Sequence, residues 1–250
     1  MINICNTDNK NNLNEIKIAL EQCKLGNDAL IIKNALNIFT LKEWEVFLKN
    51  KVNLSNDSRQ FNLQNLLEEE TWWSIIYDKK RDFAYTHSKT RQPLHNDNAW
   101  FSDPAEMVFL ALEKQAGSGG ESTIYLVDRI LHDLEKEEKE LLNDLQNTEV
   151  TITKDASGKY FNKTTIIREN MIFWNYYRTI KNDSVIKSMC DTFFKYLENK
   201  ESTPSVEVHR CETYDMLCFN DTRLLHGRLA FNAKNKGDRI MHQSMWHINE

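Results

Sequence analysis

The spacing of apolar residues changes once along the chain. Over the first third it is helical. Residues 14–24 carry Ile16, Ile18, Ala19 and Leu20 before Gly26, and Thr40-Leu41-Lys42-Glu43 reads as a capping box that opens a helix to about Lys49, with Trp44, Phe47 and Leu48 inward. Between them, residues 28–33 hold four consecutive apolar side chains and predict a short buried strand. From Glu106 onward, short runs rich in β-branched and aromatic residues take over. They fall at 107–112, 123–127, 150–153, 164–168, 172–178, 206–210, 216–219, 223–225 and 239–247. Two amphipathic helices interrupt them. Residues 131–145 align Leu131, Leu134, Leu141, Leu142 and Leu145, and residues 185–197 align Ile186, Met189, Phe193, Phe194 and Leu197.

Some eight strands after a helical start, without strand–helix alternation, predict a mainly β protein with flanking helices, built on a jelly roll of two sheets. The expected organisation is one domain over residues 1–250, with a helical N-terminal region to about residue 85 and the jelly-roll core from about residue 86.

Composition narrows the function classes. The net charge of −5 leaves no basic footprint, so nucleic acid is not an expected partner. The charged run 135–140 fits a solvated helix face. Five cysteines, odd in number and without CxxC spacing, read as reduced thiols of a cytoplasmic protein. No signal-peptide pattern opens the chain and no apolar run is long enough to span a bilayer, so no membrane association is expected.

The candidate chemistry lies in Arg91-Gln92-Pro93-Leu94-His95-Asn96-Asp97-Asn98-Ala99-Trp100. His95 and Asp97 are two apart, and Leu225-His226-Gly227-Arg228 follows much later. Two imidazoles and a carboxylate on one face of a metal leave three positions open, the arrangement of non-haem Fe(II) oxygenases. Alone, His-x-Asp is weak: with 37 acidic residues in 250 and seven histidines, about one such pair arises by chance. Its context adds weight. Pro93, Asn96 and Asn98 suit an irregular strand-end loop, and Gly227 permits close backbone approach beside His226. Arg239 opens the last strand with a fork suited to a carboxylate. The turn Gly117-Ser118-Gly119-Gly120-Glu121-Ser122-Thr123 either offers hydroxyls to a ligand or is a plain flexible hairpin.

In this order, His-x-Asp, Gly-Gly-Glu-Ser-Thr, His-Gly-Arg and the late arginine resemble the taurine dioxygenase/TfdA-like (clavaminate-synthase-like) Fe(II)/2-oxoglutarate dioxygenases, over residues 92–246. The resemblance implies a double-stranded β-helix core, His95, Asp97 and His226 as Fe(II) ligands, and 2-oxoglutarate and O2 as cosubstrates. It further implies Arg239 on the far carboxylate of 2-oxoglutarate, with Ser122 or Thr123 hydrogen-bonded to it; strand alternation admits one of these hydroxyls inward. Taurine-type members carry a second arginine four residues after the first. Here Gln243 stands there, which argues against an alkylsulfonate substrate. Halogenating relatives lack the carboxylate ligand, so Asp97 points to oxygen transfer.

Substrate-binding candidates are Asn98 and Trp100, just past the metal loop, with Tyr177 and Arg178 in the expected strand 172–178. There Asn175 and Tyr177 would share one face and Trp174, Tyr176 and Arg178 the other. A surface ion pair is the simpler reading of Arg178, and a packing role serves Trp100 equally. Glu68-Glu69-Glu70-Thr71-Trp72-Trp73 falls where the family builds a lid, and an acidic lid residue would suit a cationic amine. His87, His209, His242 and His247 have no paired acid in sequence and read as core or surface histidines. The expected partner is a small polar metabolite, foremost a free amino acid or derivative, hydroxylated at an unactivated C–H bond with release of succinate and CO2. Desaturation or other tailoring of a natural-product or carrier-tethered intermediate is the alternative; a metal-dependent hydrolase and a non-catalytic barrel are those of different class.

Overall fold

Strands from both ends of the chain meet in one mixed sheet. In the computed structural model, which describes residues 1–6, 12–57, 59, 71–82, 84–154 and 158–249, its order is Ile2–Cys5, Ala29–Ile32, Met216–Asn220, Met107–Lys114, Ile240–Ile248. Leu54–Asn56 and Trp73–Ile76 share the outer edge of the last strand. Among the described residues of this sheet only the Ile2–Cys5/Ala29–Ile32 pair is parallel. A four-stranded antiparallel sheet, in the order Glu207–His209, Ser122–Leu126, Leu224–Arg228, Gln92–His95, completes the jelly roll. Val108, Leu217, Phe219 and Met245 from the large sheet pack in one buried cluster with Ile124 and Leu224 from the small one.

Helices cover both outer faces. Leu13–Lys24 and Leu41–Lys51 pack Ile16, Leu20, Trp44 and Leu48 against Phe109, Met216 and Trp246 of the large sheet. The capping box forms: Thr40 Oγ1 accepts the Glu43 N–H at 3.3 Å, and the Glu43 carboxylate accepts the Thr40 N–H at 2.8 Å. Val127–Glu137, Lys139–Asn147 and Ser184–Lys200 gather Leu134, Leu145 and Phe193 around Trp174 and Leu225 behind the small sheet.

The structure departs from the sequence pattern in three places. The helix expected over 131–145 is two, broken at Glu138, whose φ of −144° is not helical. Leu134, Leu141, Leu142 and Leu145 still reach one core, which is why the periodicity hid the break. The strand expected over 172–178 is only Met171–Ile172. Beyond it, Trp174 exchanges hydrogen bonds with Asn96, and the Arg178 and Thr179 N–H groups both turn back to the Asn175 carbonyl. With backbone groups satisfied this way no ladder forms, and the alternation assigned to residues 174–178 does not hold. Finally, besides the expected strand Ala29–Ile32, the region read as helical supplies three more strands to the large sheet, of three or four residues each and too short to show a period. Among the described residues no helix is long and apolar enough to cross a membrane.

Candidate metal centre

Strand register brings the candidate ligands together. His226 lies directly opposite His95, and the next pairing is Arg228 with Gln92, so two steps on one strand match three on the other. The irregularity falls at Pro93, which has no N–H for the ladder. Cross-strand partners share a face, and the two imidazoles are 4.4 Å apart between ring centres. Asp97, two residues past the strand's last ligand, places Oδ1 3.3 Å from His95 Nε2 and Oδ2 3.3 Å from His226 Nε2. The three side chains offer ligand atoms all within 4.8 Å of one another.

The supports are as specific as the ligands. His95 Nδ1 lies 2.8 Å from the Pro93 carbonyl, a contact only an N–H there satisfies. Nε2 is thereby left with its lone pair inward, where the Gln92 amide donates to it at 3.0 Å. Asn96, between the ligands, donates to the carbonyls of Asp221 and Leu224 and accepts the Trp174 N–H. The Asp97 N–H donates to Asp221 Oδ2 at 2.8 Å, and the Gln243 amide donates to Asp97 Oδ2. A Cβ on Gly227 would sit 2.7 Å from Thr123 Oγ1 and 2.8 Å from the Gln92 carbonyl, so only glycine keeps this pairing distance.

Charge at the centre is set by these neighbours. Burial would raise the Asp97 carboxyl, but His226 and His95 hold it well below the usual carboxylate range. Burial likewise opposes charge on His226, yet Asp97, with Asp221 behind it, keeps this imidazole above its ordinary value. Asp221 is pushed up to about 7, chiefly by burial, while His226 draws it down and Asp97 raises it again. An ionised carboxylate with two imidazole nitrogens at van der Waals distance is a donor set suited to a divalent first-row metal.

Arg239 lines the same cavity as Asp97 and His226, together with Ser122, Gly120 and Gln243. It is 5% exposed, its Nε has no hydrogen-bond partner, and among the described residues no carboxylate lies within ion-pair distance. Burial, and secondarily Arg210, lower its pKa to about 10. Gly120, at φ +78°, lets the backbone pass with 3.7 Å between an added Cβ and Arg239 Nε. An unpaired buried guanidinium calls for an anionic ligand. Of the two hydroxyl candidates, Ser122 lines the cavity; Thr123 pairs with Gly227 and lies under it on the opposite face.

The other candidates lie elsewhere. Asn98 is fully buried, with its amide 2.8 Å from Met245 Sδ, and Trp100 packs beside Phe101 in the helical core. Tyr177, 55% exposed, lies tilted against Tyr85 with ring centres 5.2 Å apart and accepts its hydroxyl hydrogen at 2.8 Å; Arg178 is exposed. Glu68, Glu69 and Glu70 lie outside the described residues. Thr71 accepts from Ser244 Oγ, and Trp72 donates to the Leu41 carbonyl. Two histidines without a sequence-adjacent acid gain one by folding: His242 meets Glu113 at 2.6 Å, and His247 meets Glu106 and Asp57. Sequence reading missed Gln92, Asn96, Asp221 and the Asp97 contact of Gln243. Of these only Gln92 and Asn96 carried a signal, as polar residues flanking a ligand.

The family model described as taurine catabolism dioxygenase TauD, TfdA family matches residues 68–245. No curated protein matches the chain in sequence. Among solved structures, the non-heme iron oxygenase OrfP in complex with Fe and alpha-ketoglutaric acid is similar at TM-score 0.69 and 13% identity, over 94% of this chain and 80% of that one. A mutant of the same oxygenase has been solved in complex with (3S)-hydroxy-L-Arg (TM-score 0.68, 14% identity, 94% and 80% covered). Asparagine oxygenase in complex with Fe(II), 2S,3S-3-hydroxyasparagine and succinate is similar at TM-score 0.72 and 10% identity, over 94% and 79%.

Proposed function

Because the chain belongs to the taurine catabolism dioxygenase TauD, TfdA family, we propose that it is an Fe(II)- and 2-oxoglutarate-dependent oxygenase that hydroxylates a C–H bond of a free amino acid or a close derivative. The observation that carries the reading is one cavity lined both by Asp97 and His226 of the His95–Asp97–His226 cluster and by the buried Arg239, which has no carboxylate partner among the described residues. A hydrolase or an inert barrel leaves that arginine without a role.

His95, Asp97 and His226 would hold the iron, and Arg239 with Ser122 would receive the far carboxylate of 2-oxoglutarate. When bound, iron and 2-oxoglutarate supply with O2 the oxidising power that cleaves the C–H bond, releasing succinate and CO2. The Pro93 carbonyl keeps the His95 proton on Nδ1, so the Nε2 lone pair, which accepts from the Gln92 amide here, is the one that would coordinate. Gln243 occupies one Asp97 oxygen and favours coordination through the other. The apolar walls at Leu110, Leu217 and Met241 limit water around the reacting centre. The amino-acid class is supported by the hydroxyarginine and hydroxyasparagine bound to the two structurally similar oxygenases.

The test is anaerobic loading with Fe(II), then addition of O2, 2-oxoglutarate and single amino acids. The reading expects succinate formation stimulated by one of them, with one oxygen atom added to it. Succinate formation that no amino acid or derivative stimulates would reject the substrate class.

A further inference from the structure

Arg228 lies two residues beyond His226, on the same face of its strand and opposite Ser122. It is 6% exposed, its Nε has no partner, and among the described residues no carboxylate is within ion-pair distance. Its Nη2 donates to three carbonyls of one segment: Thr90 at 2.7 Å, Ser88 at 2.9 Å and Tyr85 at 3.4 Å. Thr86, within that segment, lines the cavity with Arg228 and Arg239.

The two arginines share one aromatic ring. The guanidinium carbon of Arg228 is 4.8 Å from the Phe231 ring centre and that of Arg239 is 5.5 Å from it. Two buried like charges without an acid between them disfavour each other until an anion arrives. An anion at Arg239 offsets that repulsion and strengthens the hold of Arg228 on the carbonyls of residues 85–90.

We infer that Arg228 is a positioning residue that couples the distal carboxylate of the dicarboxylate cosubstrate to closure of the 85–90 segment along the cavity. The inference rests on the proposed 2-oxoglutarate dependence. Linkage makes the coupling reciprocal: whatever loosens the segment weakens the cosubstrate.

Hydrogen exchange on the anaerobic Fe(II) protein tests it, with 2-oxoglutarate or with 2-oxobutanoate, which has the same oxo-acid head and no distal carboxylate. At saturation, 2-oxoglutarate is expected to slow amide exchange in residues 85–90 on the order of tenfold, and 2-oxobutanoate to leave it unchanged. In Arg228→Met, the Kd for 2-oxoglutarate should rise at least tenfold, the loss of a charged hydrogen-bonding group. Ligand-dependent protection of 85–90 should vanish while that of the Leu224–Arg228 strand remains; Arg228→Lys should fall between. Equal protection by both oxo acids, no protection by either, or protection retained in Arg228→Met would overturn the inference. If Arg228→Met does not fold, the two-ligand comparison on the unaltered protein decides. Failure of 2-oxoglutarate to bind the unaltered protein at all overturns the functional reading, and this inference with it.

Discussion

His226 stands directly opposite His95 across two antiparallel strands, and the pairing itself makes the metal face. A one-residue slip would send one imidazole to the outer face of the sheet. Gly227 guards that register, because its strand neighbours fill the space a side chain would need.

Gly227→Ala should therefore act on both stability and iron. The added methyl meets Thr123 Oγ1 and the Gln92 carbonyl, an overpacking that typically costs about 1–3 kcal/mol. Denaturant unfolding should show that loss, and Fe(II) titration a weaker site. Thr123→Ala in the same chain should recover part of the stability, since it removes one of the two clashes.

Asn96 sits between two ligands but serves the backbone. Its loss strands two carbonyls and the Trp174 N–H in a buried place. At roughly 1–3 kcal/mol for each unsatisfied group, partly relieved by relaxation, Asn96→Ala should destabilise by about 3 kcal/mol. Equilibrium unfolding of the iron-free protein measures this; a change below about 1 kcal/mol would refute the role.

The His95–Asp97–His226 cluster was legible in the sequence because each residue stood in a local context: a proline-interrupted loop for His95 and Asp97, a strand-like run followed by glycine for His226. The jelly roll was legible through its long strands. What escaped depends on distant partners. Asp221 and Gln243 acquire meaning only when folding sets them against Asp97, from 124 and 146 residues away. Gln243, in sequence merely the lack of a second arginine, donates its amide to the Asp97 carboxylate. Residues 172–178 carry strand-forming side chains, yet Asn96 captures the backbone at Trp174 and overrides their propensity.

Removing the Gln243 amide should loosen Asp97. Gln243→Leu is expected to weaken Fe(II) affinity about 10- to 100-fold, the usual effect of losing a partner behind a metal ligand. Gln243→Glu should weaken it too, by trading a donor for a second negative charge beside Asp97. Competition with a metal-sensitive dye measures both.

Iron-free protein should lose stability as pH rises. Folding raises the pKa values of His226 and Asp221, and a raised group contributes stability below its unfolded value that is lost as pH climbs through the folded one. For Asp221 that window runs from 3.8 to about 7, and for His226 it opens at 6.5. Asp97, shifted down, acts only below 3.8. With chelator present, Tm should fall between about pH 5 and pH 8, and Asp221→Asn should flatten the lower part. Fe(II) should reverse the slope, because it binds neutral imidazole. A chelated Tm that climbs through this range would contradict the assignment.

The central claim, one cavity holding Fe(II) and 2-oxoglutarate together, is tested most directly by anaerobic absorption spectroscopy. Adding 2-oxoglutarate to the Fe(II) protein should produce a visible metal-to-ligand charge-transfer band. The band should be absent in His226→Ala and should require much higher 2-oxoglutarate in Arg239→Ala. No band in the unaltered protein, or an unchanged band in His226→Ala, would contradict the account.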